Sequence, residues 1–351
     1  MKAYRFESWG QAPALVDVPT PEPGPGQVLV RVGGAGVCRG DVDVTRHWSP
    51  DLLPWAWKLP FTLGHEVAGW VAEVGPGVEG VQAGEAVLVY GPCGCGRCRA
   101  CLSGLENRCE HMPGNFSAVG LGHDGGMAEY VVVPSAHHLV PLGQLDPAAA
   151  APLADAALTP YQAIKGMLGQ LVPGTSAVVI GVGGLGHMAI QLLKALSPAA
   201  VVAVSRSDES LELATTAGAD HAVRAGADAV GAVRTHTGRG GATLVLDCVG
   251  TEETLGLAAG VAAGGGAIKV LGTGMGVLPF HTFALPLECS VSIGFWGGLG
   301  ELAEVVALAE AGHLRTSVQR FPLTRVSEAY DELVASRIRG RAVVVPDGSE
   351  R

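Results

Sequence analysis

Hydrophobic positions along this chain change rhythm once. Up to about residue 152 they fall in short runs divided by Gly and Pro. "QVLVRVGGAGVC", "EVAGWVAEVG", "EAVLVY" and "MAEYVVVPS" each predict a strand, and together they predict a closed or partly closed β structure. Beyond that point "SAVVIGVGGLGHMAIQLLKALSPAAVVAVSRSDESLELATTAGADHAV" reads strand, Gly turn, helix, strand, helix, strand, the βαβ repeat of a parallel sheet. "ATLVLDCVG" and "GAIKVLGTG" add strands that are apolar throughout, as strands covered on both faces must be. From about residue 290 the mixed character returns, and the sequence ends near "RGRAVVVP". No period of 20–50 residues marks a repeat protein.

Length and composition narrow the function classes. A chain of 351 residues suffices for two domains with real cores, and 48% hydrophobic against 16% charged residues describes a globular protein. A net charge of −10 argues against nucleic acid as a partner, because phosphate binding needs a basic footprint. No window approaches about 18 uninterrupted apolar residues, so no membrane span is expected. The first residues, "MKAYRFESWGQAPALVDVP", lack the apolar stretch of a signal peptide. A cytoplasmic, reducing location follows, where clustered cysteines serve as metal ligands rather than disulfides.

Five of the eight cysteines lie in "CGCGRCRACLSGLENRC", residues 93–109. Cys95, Cys98, Cys101 and Cys109 are spaced C-x2-C-x2-C-x7-C, and four thiolates so placed close a tetrahedron around Zn²⁺ with no position left for substrate. Cys93 is the odd one out. A loop that is merely rich in Cys is the alternative. The signal speaks for a structural zinc and says nothing about reaction.

In "VVIGVGGLGHMAIQLL", Gly181-Val182-Gly183-Gly184-Leu185-Gly186 forms G-x-G-x-x-G between a strand and a helix. The first Gly makes the turn, the second lets backbone approach a pyrophosphate, and the third lets helix and strand pack closely. A helix N-terminus then faces the phosphates. NAD sites carry an acidic residue about 20 positions on, but 19 residues after Gly186 this chain reads Ser205-Arg206. A hydroxyl and a guanidinium suit a 2′-phosphate, which predicts NADP(H) over NAD(H). Asp208 is the counter-argument, three residues late and expected in the following turn.

Cys38 in "VCRGDVD", His65 and Glu66 in "LGHEVAGWVAEVGPGV", and Asp155 in "APLADAALTPY" offer S, N and O donors. Three such ligands leave a fourth zinc position open. Singly, each has an ordinary reading: a small buried hydrophobe, a core histidine, a helix cap. In this order, with the four-cysteine lobe and the glycine loop, they resemble the zinc-dependent medium-chain alcohol dehydrogenases. The resemblance covers essentially the whole chain, down to "IRGRAVVVP", and bacterial secondary-alcohol dehydrogenases in particular.

The resemblance implies an α/β fold: a GroES-like β-rich catalytic domain from residues 1–152 and 291–351, and a Rossmann doubly wound parallel sheet from 153–290. It implies two zincs per chain, catalytic at Cys38, His65 and Asp155 with Glu66 close enough to exchange as a ligand. Asp41 would accept the other N–H of His65. Arg39 and Arg341 would contact the cofactor pyrophosphate, Thr159 would sit beside the nicotinamide, and Val249, Gly250, Leu271 and Gly272 would flank the cofactor. A small-molecule substrate and a homodimer or homotetramer are implied as well.

One departure affects the chemistry. The family passes the alcohol proton through a Ser or Thr two residues after the ligand Cys, then through a His three residues further on; here these positions are Gly40 and Asp43. Zinc-bound water, or Asp43 through a water, could replace the relay in an ordinary carbonyl or alcohol enzyme, since general acid–base help is worth ~10²–10⁴-fold and its loss need not abolish activity. Alternatively the substrate is an imine, an iminium or a conjugated C=C bond, which needs no oxygen-linked proton. Thirdly, Asp43 is simply salt-bridged at the surface. Trp48, Trp55 and Trp57, between the Cys38 and His65 ligands, and Trp296 are candidates for an aromatic substrate wall. A nucleotide- and zinc-binding protein without turnover is the reading from a different class.

Overall fold

The computed structural model describes residues 1–51, 57–112, 116–238 and 240–348. The chain forms two compact units, one of residues 1–155, 297–311 and 316–351, the other of residues 156–296 and 312–315. The sequence reading changed over at 152/153 and 290/291; the units change over at 155/156 and 296/297.

In the first unit a mixed sheet runs in the order Leu139–Pro141, Ala86–Val89, Glu66–Val74, Val28–Gly36, Arg341–Val345, Val318–Pro322, with Tyr130–Val133 also pairing with Val28–Gly36. All four strands expected from the early hydrophobic runs are present. Val28–Gly36 is nearly all buried, which explains why its sequence is apolar without alternation. Arg341–Val345 enters antiparallel beside it, Val343 opposite Gly36 and Val344 opposite Ala35. Ala14–Asp17, Lys2–Phe6 and Phe61–Thr62 form a smaller sheet.

The second unit holds, among its described residues, six parallel strands in the order His221–Arg224, Ala200–Ser205, Ser176–Ile180, Ala242–Asp247, Ala262–Val270, Ser290–Ile293. The chain starts in the middle, builds outward to one edge, then returns to build the other. The order reverses between Ser176–Ile180 and Ala242–Asp247, and ligands bind beyond the carboxyl ends of strands at such a point. Val178, Val202, Val245 and Ile268 pack there in one fully buried core with Val233 and Ala258. No described helix is long and apolar enough to cross a membrane.

Candidate active site

Cys38 ends the buried run after Val28–Gly36 and caps the short helix Arg39–Val42, its sulfur accepting the Gly40 N–H at 3.4 Å. His65 lies in the approach to strand Glu66–Val74, and Asp155 follows the turn Ala151–Ala154. From these separate places the three donors converge. Asp155 Oδ2 is 3.8 Å from Cys38 Sγ and 3.5 Å from His65 Nε2. Ligands bound about 2.0–2.3 Å from a zinc at tetrahedral corners lie roughly 3.3–3.8 Å apart, so this donor set fits the ion with one corner left over. Burial works against charge on His65, but Asp41 and then Cys38 and Asp155 outweigh it and raise its pKa well above the ordinary imidazole value. The cluster is built to collect positive charge.

Asp41 is fully buried and takes His65 Nδ1–H at 2.9 Å, which fixes the tautomer so that Nε2 faces Asp155. Glu66, next to His65, is fully buried. Its two carboxylate oxygens are held by Arg341, one at 2.9 Å from Nε and the other by Nη2, with both side chains buried. Glu66 is not one of the three clustered donors, though His65 and Asp155 are close enough for their charges to act on it. Arg341 gives Nε and Nη2 to this ion pair and is only 3% exposed. Gly36 makes room: a Cβ there would stand 1.8 Å from Glu66 Oε2.

Asp43 is salt-bridged but not at the surface. It is 5% exposed, 3.4 Å from Arg39 Nε, and 2.9 Å from Nδ1 of His47, whose side chain is half exposed. A π-helical turn, Asp43–His47, brings the last two together. Trp57 donates its indole N–H to the Phe116 carbonyl at 2.7 Å and packs edge-on against Phe61. Trp48 is partly buried, and Trp296, in the second unit, is 5% exposed with φ of +49°. Trp55 lies outside the described residues.

The cysteine lobe closes on itself. Cys98 Sγ lies 3.4 Å from Cys101 Sγ and 3.9 Å from Cys109 Sγ, and Cys95 Sγ lies 4.0 Å from Cys101 Sγ, close to the ~3.8 Å edge of a tetrahedral zinc thiolate site. Backbone N–H groups of Cys101 and Glu110 hold the Cys98 thiol down at about 6. Burial pushes Cys93 up to about 12, and it stands outside the cluster as a neutral thiol.

In the second unit Gly181 has φ of +86°, and a Cβ on Gly186 would meet the Gly181 carbonyl at 2.0 Å, so turn and packing both demand Gly. A Cβ on Gly183 would meet nothing within 4 Å, leaving open space at the N-terminus of helix Gly184–Leu196, which includes Leu185. Ser205 ends its strand and Arg206 is exposed. Asp208 is the first residue of helix Asp208–Thr216 and pairs with Arg224. Thr159 is buried in helix Leu158–Lys165.

Besides His47, the sequence does not announce Arg224, Asp247 or Tyr330. Arg224 lies opposite Ser205 in register and donates to the Arg206 carbonyl at 2.6 Å; the parallel register of two strand ends is the signal that would have found it. Asp247, fully buried, accepts the Val249 and Gly250 N–H groups at 2.9 Å each, while its carbonyl accepts those of Leu271 and Gly272. One residue thus shapes both turns expected to flank the cofactor. Tyr330 donates to Asp41 Oδ2 at 2.8 Å, and no local pattern announces a partner 289 positions away.

Comparison with known proteins agrees with this geometry. The Alcohol dehydrogenase GroES-like domain family matches residues 24–144, and the Zinc-binding dehydrogenase family matches residues 184–311. An NAD-dependent alcohol dehydrogenase of Sulfurisphaera tokodaii is 36% identical, over 99% of this chain and 100% of that protein. A D-arabinose 1-dehydrogenase (NADP(+)) of Saccharolobus solfataricus is also 36% identical, over 98% and 97%. Among solved structures, the alcohol dehydrogenase of Aeropyrum pernix superposes with a TM-score of 0.90 at 35% identity, covering 99% of this chain and 100% of that one. With its GroES-like and Rossmann-type parts, this chain belongs to the zinc-type alcohol dehydrogenases of the medium-chain dehydrogenase/reductase family.

Proposed function

We propose that this oxidoreductase transfers a hydride between NADP(H) and a small carbonyl or alcohol substrate. The convergence of Cys38, His65 and Asp155 at zinc-ligand spacing carries this reading. Bound there, zinc supplies Lewis acidity toward the substrate oxygen. Asp41 holds the His65 tautomer, and Arg341 supplies the buried counter-charge of Glu66. The cysteine lobe holds the second zinc, and its thiols suit a reducing, cytoplasmic setting.

Gly40 favours a second reading, reduction of an imine, iminium or conjugated C=C bond. A Cβ at this position would lie 3.7 Å from Cys38 Sγ and 3.8 Å from His65 Cε1, ordinary contact distances, so a side chain fits beside the donors and none is present. In the carbonyl reading the proton travels instead by Asp43, whose hydrogen bond to half-exposed His47 leads toward solvent. Gly40→Ser separates the two. It raises kcat on ketones by about 10-fold or more if an oxygen-linked proton is in short supply, with kcat on cyclic imines unchanged; general acid–base help of ~10²–10⁴-fold sets the ceiling. A kcat unchanged from wild type on every substrate would rule out a missing hydroxyl relay.

The chain acts as a homodimer or homotetramer in this reading. The edge strand Ser290–Ile293 is exposed along its length, Ile293 at 83%, and Phe280 and Phe283 of the preceding segment are also open. An edge strand that exposes Val291 and Ile293 beside open phenylalanines invites pairing with a second copy. Ile293→Lys is expected to lower the particle mass seen by light scattering; an unchanged mass would rule this edge out as the interface.

A further inference from the structure

We infer that Tyr330 is a positioning residue for the catalytic metal, acting through Asp41 on His65; the inference rests on reading Cys38, His65 and Asp155 as the metal site. Asp41 is fully buried, and its carboxylate receives three donors. Oδ1 takes His65 Nδ1–H at 2.9 Å, while Oδ2 takes the Tyr330 hydroxyl at 2.8 Å and the Cys38 N–H at 3.4 Å. The last is long for a hydrogen bond. The phenol is thus the one short anchor on Oδ2 among the described contacts.

Anchoring both oxygens matters because a carboxylate's terminal torsion is otherwise broad. With Oδ2 pinned, Oδ1 can present its lone pair to Nδ1–H in a single direction, and the imidazole then aims Nε2 at the place where Cys38 Sγ and Asp155 Oδ2 converge. Tyr330 itself has little freedom. It comes from helix Val326–Val334, is 3% exposed, and stacks on Tyr4 with ring centroids 5.7 Å apart and planes 20° from parallel. The hydroxyl is held at Asp41 by the packing of its own ring.

Tyr330→Phe removes this hydroxyl and keeps the ring stack. Outer partners of a metal-bound imidazole are worth about 10–100-fold in metal affinity, and Tyr330 stands one bond further out, so a change of roughly 3–10-fold is expected. The full-length protein, loaded with zinc, is mixed with a coloured chelator, and metal release is followed in two phases, one per site. Cobalt placed in the open site gives a visible spectrum that reports its ligand geometry. The expected result is faster release in one phase only, a shifted cobalt band, and an unchanged four-cysteine phase. Asp41→Asn should act in the same direction, and adding Tyr330→Phe to it should change little further, because both act on one contact.

Wild-type release rates and an unshifted cobalt band in Tyr330→Phe would overturn the inference. Acceleration of both phases together with a lowered Tm would overturn it too, as plain packing. If the wild-type chain itself carries a single metal, the metal-site reading falls and takes the inference with it.

Discussion

Cys38→Ser is expected to leave one metal per chain instead of two and to lower turnover by roughly 10³-fold or more. Polarisation of the substrate oxygen is worth several kcal/mol, and each ~1.4 kcal/mol is a factor of ten in rate. Serine is the informative replacement. Cys38 also caps helix Arg39–Val42, its sulfur accepting the Gly40 N–H while its own backbone N–H donates to the Asp41 carboxylate, and a serine hydroxyl caps helices well. The helix start survives while the soft ligand is lost. Metal content by elemental analysis, read with kcat on a ketone and imine panel, checks both halves. Retention of two metals with activity within tenfold of wild type would show that the open site lies elsewhere. One metal in the wild-type chain would favour a zinc-clipped binding protein.

Replacing Arg206 and Arg224 together by Ala is expected to lower kcat/KM for NADPH by about 10²–10³-fold and to leave NADH within about threefold. A hydrogen bond to a charged group contributes about 1.5–3 kcal/mol, or roughly one to two factors of ten for each guanidinium. Arg224 has a second effect. It pairs with Asp208, the carboxylate that would otherwise repel a 2′-phosphate, and removing it leaves that charge uncompensated. Steady-state kinetics with both coenzymes decides the matter. An equal loss for NADPH and NADH would make the pair a structural one, and a wild-type preference for NADH would end the argument from Ser205 and Arg206.

The parts of this protein that the sequence announces are those whose geometry is local. Three ligand cysteines span seven residues, the glycine loop spans six, and in each case the spacing itself fixes how backbone must turn. Strand Val28–Gly36 is legible for a related reason, since burial on both faces leaves apolar residues everywhere but Arg31, its one half-buried position. The open donor set is harder, because Cys38 and Asp155 are 117 positions apart and meet only through the fold. Family resemblance placed them. It could not foresee the fate of Glu66 and Arg341, where two long side chains satisfy each other across 275 positions. Nor could it supply Asp43–His47: a helix pattern predicts that residues four apart meet, but not that the carboxylate is buried and the imidazole half open. Asp247 was hidden because its work is done by backbone partners two and three residues on, which carry no side-chain signature.

Strand Arg341–Val345 lies between Val318–Pro322 and Val28–Gly36, and residues near it reach Asp41 and Glu66. During synthesis the parallel sheet of residues 176–293 emerges whole and can fold behind the ribosome, as chains generally do from the N-terminus, unit by unit. The earlier half cannot do the same. Its central sheet lacks two strands, Val318–Pro322 and Arg341–Val345, and a buried carboxylate at Glu66 lacks its counter-charge, until position 345 leaves the exit tunnel. All seven donor residues precede position 156, so the nascent polypeptide carries its ligands early, but Asp41 waits for the Tyr330 hydroxyl and Glu66 for its guanidinium before the surroundings of the open site are held in place.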